Sequence, residues 1–282
     1  MTPPTLDCLR KKPFVLMGVL NVTPDSFFDG GRHDAPAEAQ RHAMRMRNDG
    51  ADIIDIGGES SRPGARQVST AEELRRTVPV VGAIRACDPS VVISIDTTKA
   101  EVAQQALEAG ANWINDISAG RFDKRMAPLA AAANCPVVLM HSRATPRDMQ
   151  REPFYENVVE EVRGELFERV NVFMKAGVRK SRILLDPGIG FAKRIEDNLV
   201  LLRNLHDLVK TGFPVLVGTS RKSFIGNITG NPVGHRLWGT LGSVAAAYSR
   251  GATFFRVHDV AATRDMLNTI AAIEHGTAVT EQ

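Results

Sequence analysis

The chain reads as an α/β protein, a single-domain (β/α)8 TIM barrel, and three observations carry that reading. Its 282 residues suit one such barrel. Short apolar runs, many rich in β-branched residues, alternate along it with longer amphipathic stretches, as strand–helix units do. No composition break, low-complexity tract or linker rich in Pro, Gly or Ser interrupts the alternation. The expectation is therefore one domain over 1–282, with loose ends at 1–12 and 276–282. A doubly wound open sheet is the structural alternative.

The first predicted strand is Phe14–Leu20, followed by Asp52–Ile56, Val91–Ile95 and Trp113–Ile114. Pro136–Met140, Ile183–Leu185, Pro214–Val217 and Thr253–Val257 complete the set. Each is short and apolar on both faces, as a buried parallel strand must be, whereas a half-exposed antiparallel strand alternates. Amphipathic stretches between them predict helices over Ala35–Asn48, Ala71–Arg85, Lys99–Glu108, Tyr155–Lys175, Ile195–Lys210 and Val260–Ile273. The second opens S-T-A-E-E, where Ser69 or Thr70 can cap the first amides and Glu72 or Glu73 can close a capping box. Gly110 and Gly177 stand just past two of these helices, where a left-handed residue ends a helix with least strain. Trp238–Arg250 is rich in Ala and small residues and should pack closely against a neighbour.

Composition excludes several functions. The apolar and charged fractions, 43% and 24%, are ordinary for a soluble globular protein. Lys plus Arg exceed Asp plus Glu by 35 to 32, too little to suggest a nucleic-acid partner, and no block of like charge stands out. Cys8, Cys87 and Cys135 are odd in number and widely spaced, with no C-x-x-C, so they read as reduced thiols rather than a zinc or redox motif. The N-terminus lacks the apolar core of a signal peptide and no apolar run is long enough to span a bilayer. The expectation is a soluble, cytoplasmic protein with neither nucleic-acid nor membrane partner.

Polar residues gather where the strands end. In order they are Asn21; Asp55, Glu59, Ser61 and Arg62; Asp96; Asn115 and Asp116; His141; Asp186; Ser220 and Lys222; and Arg256 and His258. Any one of them could merely cap the next helix. Hydrogen-bonding or charged groups at every strand end point instead to a site at the C-terminal mouth of the barrel. Two glycine-rich loops, Asn21–Arg32 and Gly57–Gly64, are compatible with ordinary turns, but loops of this kind after barrel strands tend to close over substrates. Arg62, Lys222, Arg256 and His258 should converge on a polyanion such as pyrophosphate. Asp96, Asn115 and Asp186 should occupy the opposite arc and offer acceptors and donors to a flat, nitrogen-rich heterocycle. Ser220 has no His–Asp relay written around it, which argues against a serine hydrolase.

Eight motifs resemble the dihydropteroate synthase family. They are M-G-V-L-N-V-T-P-D-S-F from Met17, D-I-G-G-E-S-S-R-P-G from Asp55, S-I-D-T-T-K from Ser94 and I-N-D-I from Ile114. L-M-H from Leu139, D-P-G-I-G-F from Asp186, S-R-K-S from Ser220 and R-V-H-D-V from Arg256 complete the set. The resemblance covers nearly the whole chain, in order. It implies an enzyme of folate biosynthesis that condenses 6-hydroxymethyl-7,8-dihydropterin pyrophosphate with 4-aminobenzoate, releasing pyrophosphate.

By that resemblance Asp96, Asn115 and Asp186 hydrogen-bond the pterin, while Met140 and Phe191 line its pocket. Lys222 reaches both pterin and incoming amine, and Arg256 stacks on the pterin while touching the phosphates, a dual role that suits a guanidinium. Asn21, Ser61, Arg62, Arg256 and His258 are implied on the pyrophosphate side, with Asn21 also beside an Mg2+ cofactor. Phe27, Ser61, Pro63, Ser220, Lys222 and Ser223 are implied around 4-aminobenzoate, and Asp96, Lys222 and Arg256 carry the catalysis. Sulfonamide inhibitors and a homodimer are implied too. The sequence departs from the commonest family pattern at Phe28, Ser61, Ala144 and Ile189, where serine, threonine, glycine and phenylalanine are more usual. The first two bear on 4-aminobenzoate affinity and sulfonamide sensitivity.

Three rivals deserve weighing. A pterin-binding methyltransfer domain would share the Asp–Asn–Asp set but has no need of S-R-K-S and R-V-H together. A non-catalytic pterin-binding paralogue should show gaps in the cationic set, and none is visible. A generic phosphate-binding barrel would leave the two signature loops unexplained.

Overall fold

The structure is a computed structural model and describes residues 2–23, 35–60, 64–65, 67–144 and 153–276. Its eight strands are β1 (Val15–Asn21), β2 (Ile53–Gly57), β3 (Val92–Asp96), β4 (Trp113–Asp116), β5 (Val137–Met140), β6 (Ile183–Asp186), β7 (Leu216–Val217) and β8 (Phe254–Val257). All pair in parallel in the order β6-β5-β4-β3-β2-β1-β8-β7. A parallel bridge between Leu185 and Val215, and the bond from Leu185 N to Pro214 O (2.9 Å), join the two ends. The open-sheet alternative is thereby excluded and the barrel reading holds.

The helices are α1 (Leu6–Leu9), α2 (Ala35–Asn48), α3 (Thr70–Cys87), α4 (Ala100–Glu108), α5 (Met126–Ala133), α6 (Val158–Lys175), α7 (Ile195–Arg203), α8 (Leu205–Val209), α9 (Ser223–Thr229), α10 (Leu237–Tyr248) and α11 (Val260–His275). Among the described residues no helix is long and apolar enough to cross a membrane.

Alternation along each strand sorts side chains to two faces. Leu16, Ile54, Ile56, Ile93, Ile95, Ile114, Val137, Leu139, Ile183, Leu185, Phe255 and Val257 join the helices in one large core. The other face turns inward: Val15, Met17, Ile53, Val92, Trp113, Val138, Leu184, Leu216 and Phe254 form a separate cluster inside the barrel. Leu6 and Leu9 of α1 belong to that inner cluster and are buried. The expectation of a loose end at 1–12 is therefore corrected: α1, capped by the Thr5 side chain, plugs the bottom of the barrel. Of the other expected loose end, Gly276 caps α11 in a left-handed conformation, and residues 277–282 lie outside the described residues.

The remaining differences have local causes. The predicted Ile195–Lys210 helix is two, because Asn204, with φ −104°, donates its amide to Val200 O (2.9 Å) and competes with the helical ladder. α6 starts at Val158 rather than Tyr155 because Asn157 accepts from Glu160 N (3.3 Å) and caps it. Ser69 caps α3, but Glu72 turns to Arg75 and Arg76 and Glu73 to Lys99. α5, M-A-P-L-A-A-A-A, lacks the polar half of an amphipathic pattern and so escaped the sequence reading, as did short α9.

Candidate active site

Stepping two residues along each strand from the apolar inner layer reaches the next inward position. There, on five strands, the residues change character: Ile53 leads to Asp55, Val92 to Ser94 and Asp96, Trp113 to Asn115, Leu184 to Asp186, and Phe254 to Arg256. A polar layer thus lies directly on an apolar one, at the C-terminal end of the barrel where sites of this fold are built.

Arg256 is the centre of that layer. Its Nε donates to Asp55 Oδ2 (2.7 Å) and its Nη2 to Asp96 Oδ2 (2.7 Å). Asp55 is fully buried, and the same Oδ2 accepts from Asn115 Nδ2 (3.0 Å). Burial opposes the charge on Arg256, but Asp55 and Asp96 outweigh it and hold the guanidinium protonated above its ordinary range. Asp96 is pushed up to about 7 by burial, against the pull of Arg256 and with the help of Asp55.

The second pair is Lys222 and Asp186. The Lys222 ammonium donates to Ile189 O and lies 4.6 Å from the Phe191 ring centroid, a cation–π contact. Burial draws Lys222 down to about 8, partly offset by Asp186. Burial also raises Asp186, while Lys222 and the Gly188 N–H (2.7 Å) oppose the rise. Met140, Phe191 and Ala192 form a small apolar cluster against which Ile117 and Ala144 pack. One wall of the mouth is therefore apolar and the adjoining floor is charged. Beyond it Ser220 Oγ, on a buried residue, lies 2.9 Å from His258 Nδ1 and accepts from His258 N (3.2 Å).

Relatives give this arrangement its context. Residues 17–258 match the family model described as pterin binding enzyme. A dihydropteroate synthase of a Synechocystis strain is 47% identical over 264 residues, 93% of this chain and 91% of that protein. The chain belongs to the dihydropteroate synthase family. Its enzymes are transferases, and this chain is one of them. The Xanthomonas albilineans member solved with 4-aminobenzoic acid is 44% identical, with a TM-score of 0.88 over 94% of each chain. The Yersinia pestis member solved with a sulfonamide drug is 41% identical, with a TM-score of 0.87 over 92% of this chain and 94% of that one.

Against that family pattern, the structure brings Asp96, Asn115, Asp186, Lys222, Arg256, Met140 and Phe191 to one mouth. Phe27, Phe28, Ser61, Arg62 and Pro63 lie outside the described residues. Asn21 closes β1 opposite Gly57, and Ser223 is the exposed first residue of α9. Two expectations need correction. Asn21, Asp96, Asn115, Asp116 and Asp186 lie within the strands, which run one or two residues further than predicted. Cations and carboxylates are also interleaved rather than set on opposite arcs, because Arg256 pairs with Asp96, one of the carboxylates it was expected to face, and with Asp55.

Asp116 serves the turn after β4, accepting from Ser118 N and Oγ and from Gly120 N. Ile189 is buried in the core, so only its carbonyl bears on the site, whereas Ala144 joins the apolar wall. Glu59 and Glu73 share Lys99, pinning the start of the Gly57–Gly64 loop. Sequence reasoning gave no role to Asp55, although its place two residues beyond Ile53 on an inward face was a signal. It also passed over Lys193 and Glu165, for which spacing carried no signal. Among the described residues no three His, Cys, Asp or Glu side chains could hold a metal.

Proposed function

We propose that the protein joins 6-hydroxymethyl-7,8-dihydropterin pyrophosphate to 4-aminobenzoate by dissociative loss of pyrophosphate followed by attack of the amine, giving 7,8-dihydropteroate. The single observation that carries this reading is Arg256 held between Asp55 and Asp96, beside Lys222 and Asp186. A guanidinium so placed is preorganised for charge growing on departing oxygens. Asp96 and Asp186 offer buried acceptors to the pterin, and Asp96 lies where a carboxylate would stabilise a cationic pterin methylene. Asn115 donates its amide to Asp55, which leaves its carbonyl oxygen to accept from the pterin. Lys222, on the Phe191 ring, faces the arriving amine. The apolar wall of Met140 and Phe191 excludes water that would otherwise capture the cation. An aromatic amine is neutral at pH 7, so the attack needs no strong base.

Ser61, Arg62 and His258 complete the pyrophosphate side in this reading, and Phe27, Pro63, Ser220 and Ser223 the 4-aminobenzoate side. An Mg2+ ion fits as a cofactor that arrives with the pyrophosphate, since Asn21 contributes one neutral oxygen and Mg2+ is commonly held by substrate phosphates. When bound it would neutralise phosphate charge. Sulfonamides, which resemble 4-aminobenzoate, should compete with it. We place the enzyme in the cytoplasm as a homodimer, the latter supported by Ile228, Val233 and Trp238, exposed at 58%, 54% and 79% around the start of α10.

The test is pyrophosphate release by the purified protein with Mg2+, the dihydropterin pyrophosphate and 4-aminobenzoate each omitted in turn. The expected result is release that needs all three and matches dihydropteroate formed mole for mole. Tight pterin binding without release would overturn the proposal.

A further inference from the structure

Behind the pterin wall lies a buried cluster that the reaction does not use. Lys193 is 3% exposed. Its Nζ lies 2.9 Å from His141 Nδ1, 3.0 Å from Phe191 O and 3.1 Å from Gly188 O. Burial draws Lys193 down to about 7, partly offset by Asp186; in its protonated form it has three N–H donors, and these three acceptors employ them all. His141 Nδ1 must then be an acceptor, so the ring proton sits on Nε2 and is donated to Glu165 Oε2 (3.2 Å). Glu165 in turn accepts from Arg121 Nη2 (3.0 Å) and Arg143 Nε (2.7 Å). Burial holds His141 down to about 4, with Lys193 adding to the effect. The imidazole is therefore a neutral relay between an internal cation and a fixed carboxylate.

The two carbonyls held by Lys193 flank the turn after β6. That turn starts at Asp186, which accepts from Gly188 N, and ends at Phe191, whose N–H donates to Gly188 O (3.0 Å). Gly188 has φ +68°, and a Cβ there would fall 1.9 Å from His141 O. The turn after β6 thus rests backbone to backbone on the end of β5, with no side chain to space them. Tyr155 fastens the far end by donating its hydroxyl to Ala192 O (2.9 Å).

We infer that Lys193 is a positioning residue: its ammonium locks the Asp186–Phe191 turn onto His141 and so sets the acceptor and the ring that bind the pterin. The inference rests on the proposed function. Backbone carbonyls, a neutral imidazole and Asp186 offset part of the cost of burying this ammonium, and its charge in turn steadies Asp186. An apolar residue of the same length would fill the space and release the turn.

The test measures binding of 6-hydroxymethylpterin, which has no leaving group, by calorimetry, together with the KM of each substrate. Lys193→Met should weaken pterin binding about tenfold, the scale of one charged hydrogen bond, and change the KM for 4-aminobenzoate far less. Glu165→Gln, at a partly exposed side chain, should fold readily and weaken pterin binding by about threefold through His141. A purely structural role would lower the melting temperature and the yield but leave the affinity of folded protein unchanged. Pterin affinity within twofold of the unsubstituted protein in either folded variant would overturn the inference. Failure of the unsubstituted protein to bind 6-hydroxymethylpterin would instead sink the functional reading beneath it.

Discussion

In the proposed reaction Arg256 has to serve two masters, the carboxylates that hold it and the phosphates it would meet. Asp55 is the more permanent partner, being fully buried and also bonded to Asn115, whereas Asp96 lies 11% exposed at the mouth. The free protein therefore stores Asp96 in an ion pair that pterin binding would replace. Raised from 3.8 to about 7, Asp96 loses its charge as pH falls through neutrality, and with it an acceptor. The kcat/KM for the pterin substrate should accordingly fall below about pH 7, reaching a tenfold loss per unit on the acid side. Asp96→Asn should remove that limb and slow pyrophosphate loss far more than it weakens pterin binding. Near-normal turnover in that variant would refute the role. At this scale the sequence was informative at Asp96, Asn115, Asp186 and Arg256, each two positions beyond another inward residue, although the same signal at Asp55 went unread. It was silent on Lys193 and Glu165, because their meeting at His141, 52 and 24 positions away, depends on the folded barrel rather than on local pattern.

The parallel strands were legible because they are apolar on both faces, and α2 because its amphipathic pattern fits the helical period. α1 was not. Four residues cannot show a period, and the worth of Leu6 and Leu9 comes wholly from Val15, Ile53, Trp113 and their neighbours in the inner cluster. Leu6→Ala should cost about 2–4 kcal/mol in denaturant unfolding and leave kcat of the folded enzyme unchanged. A loss under about 0.5 kcal/mol, within the range of a surface substitution, would show that α1 does not seal the barrel. α7 and α8 were read as one helix because apolar spacing continues across Asn204, whereas the break is a side-chain bond that spacing does not encode.

For the whole molecule, eight strand–helix units announced the barrel, but closure is a property of three dimensions. The sheet is thinnest between β6 and β7, where a single bridge joins its ends, and the Asp186 and Lys222 loops rise on either side of that seam. Assembly was less legible still. The small residues of α10 promised close packing, and the exposed Trp238 beside them suggests with what. In the proposed homodimer, Trp238→Glu should shift the mass from that of a dimer to that of a monomer in light scattering, and an unchanged mass would exclude this face as the contact. The layered interior separates two kinds of change over evolutionary time. Substitutions in Asp55, Asp96, Asn115, Asp186 or Arg256 would redirect chemistry while Ile53, Val92, Trp113, Leu184 and Phe254 went on holding the barrel closed. Divergent descendants of such a chain would keep its outline long after losing its reaction, and the upper row of inward residues would be the place to read which had happened.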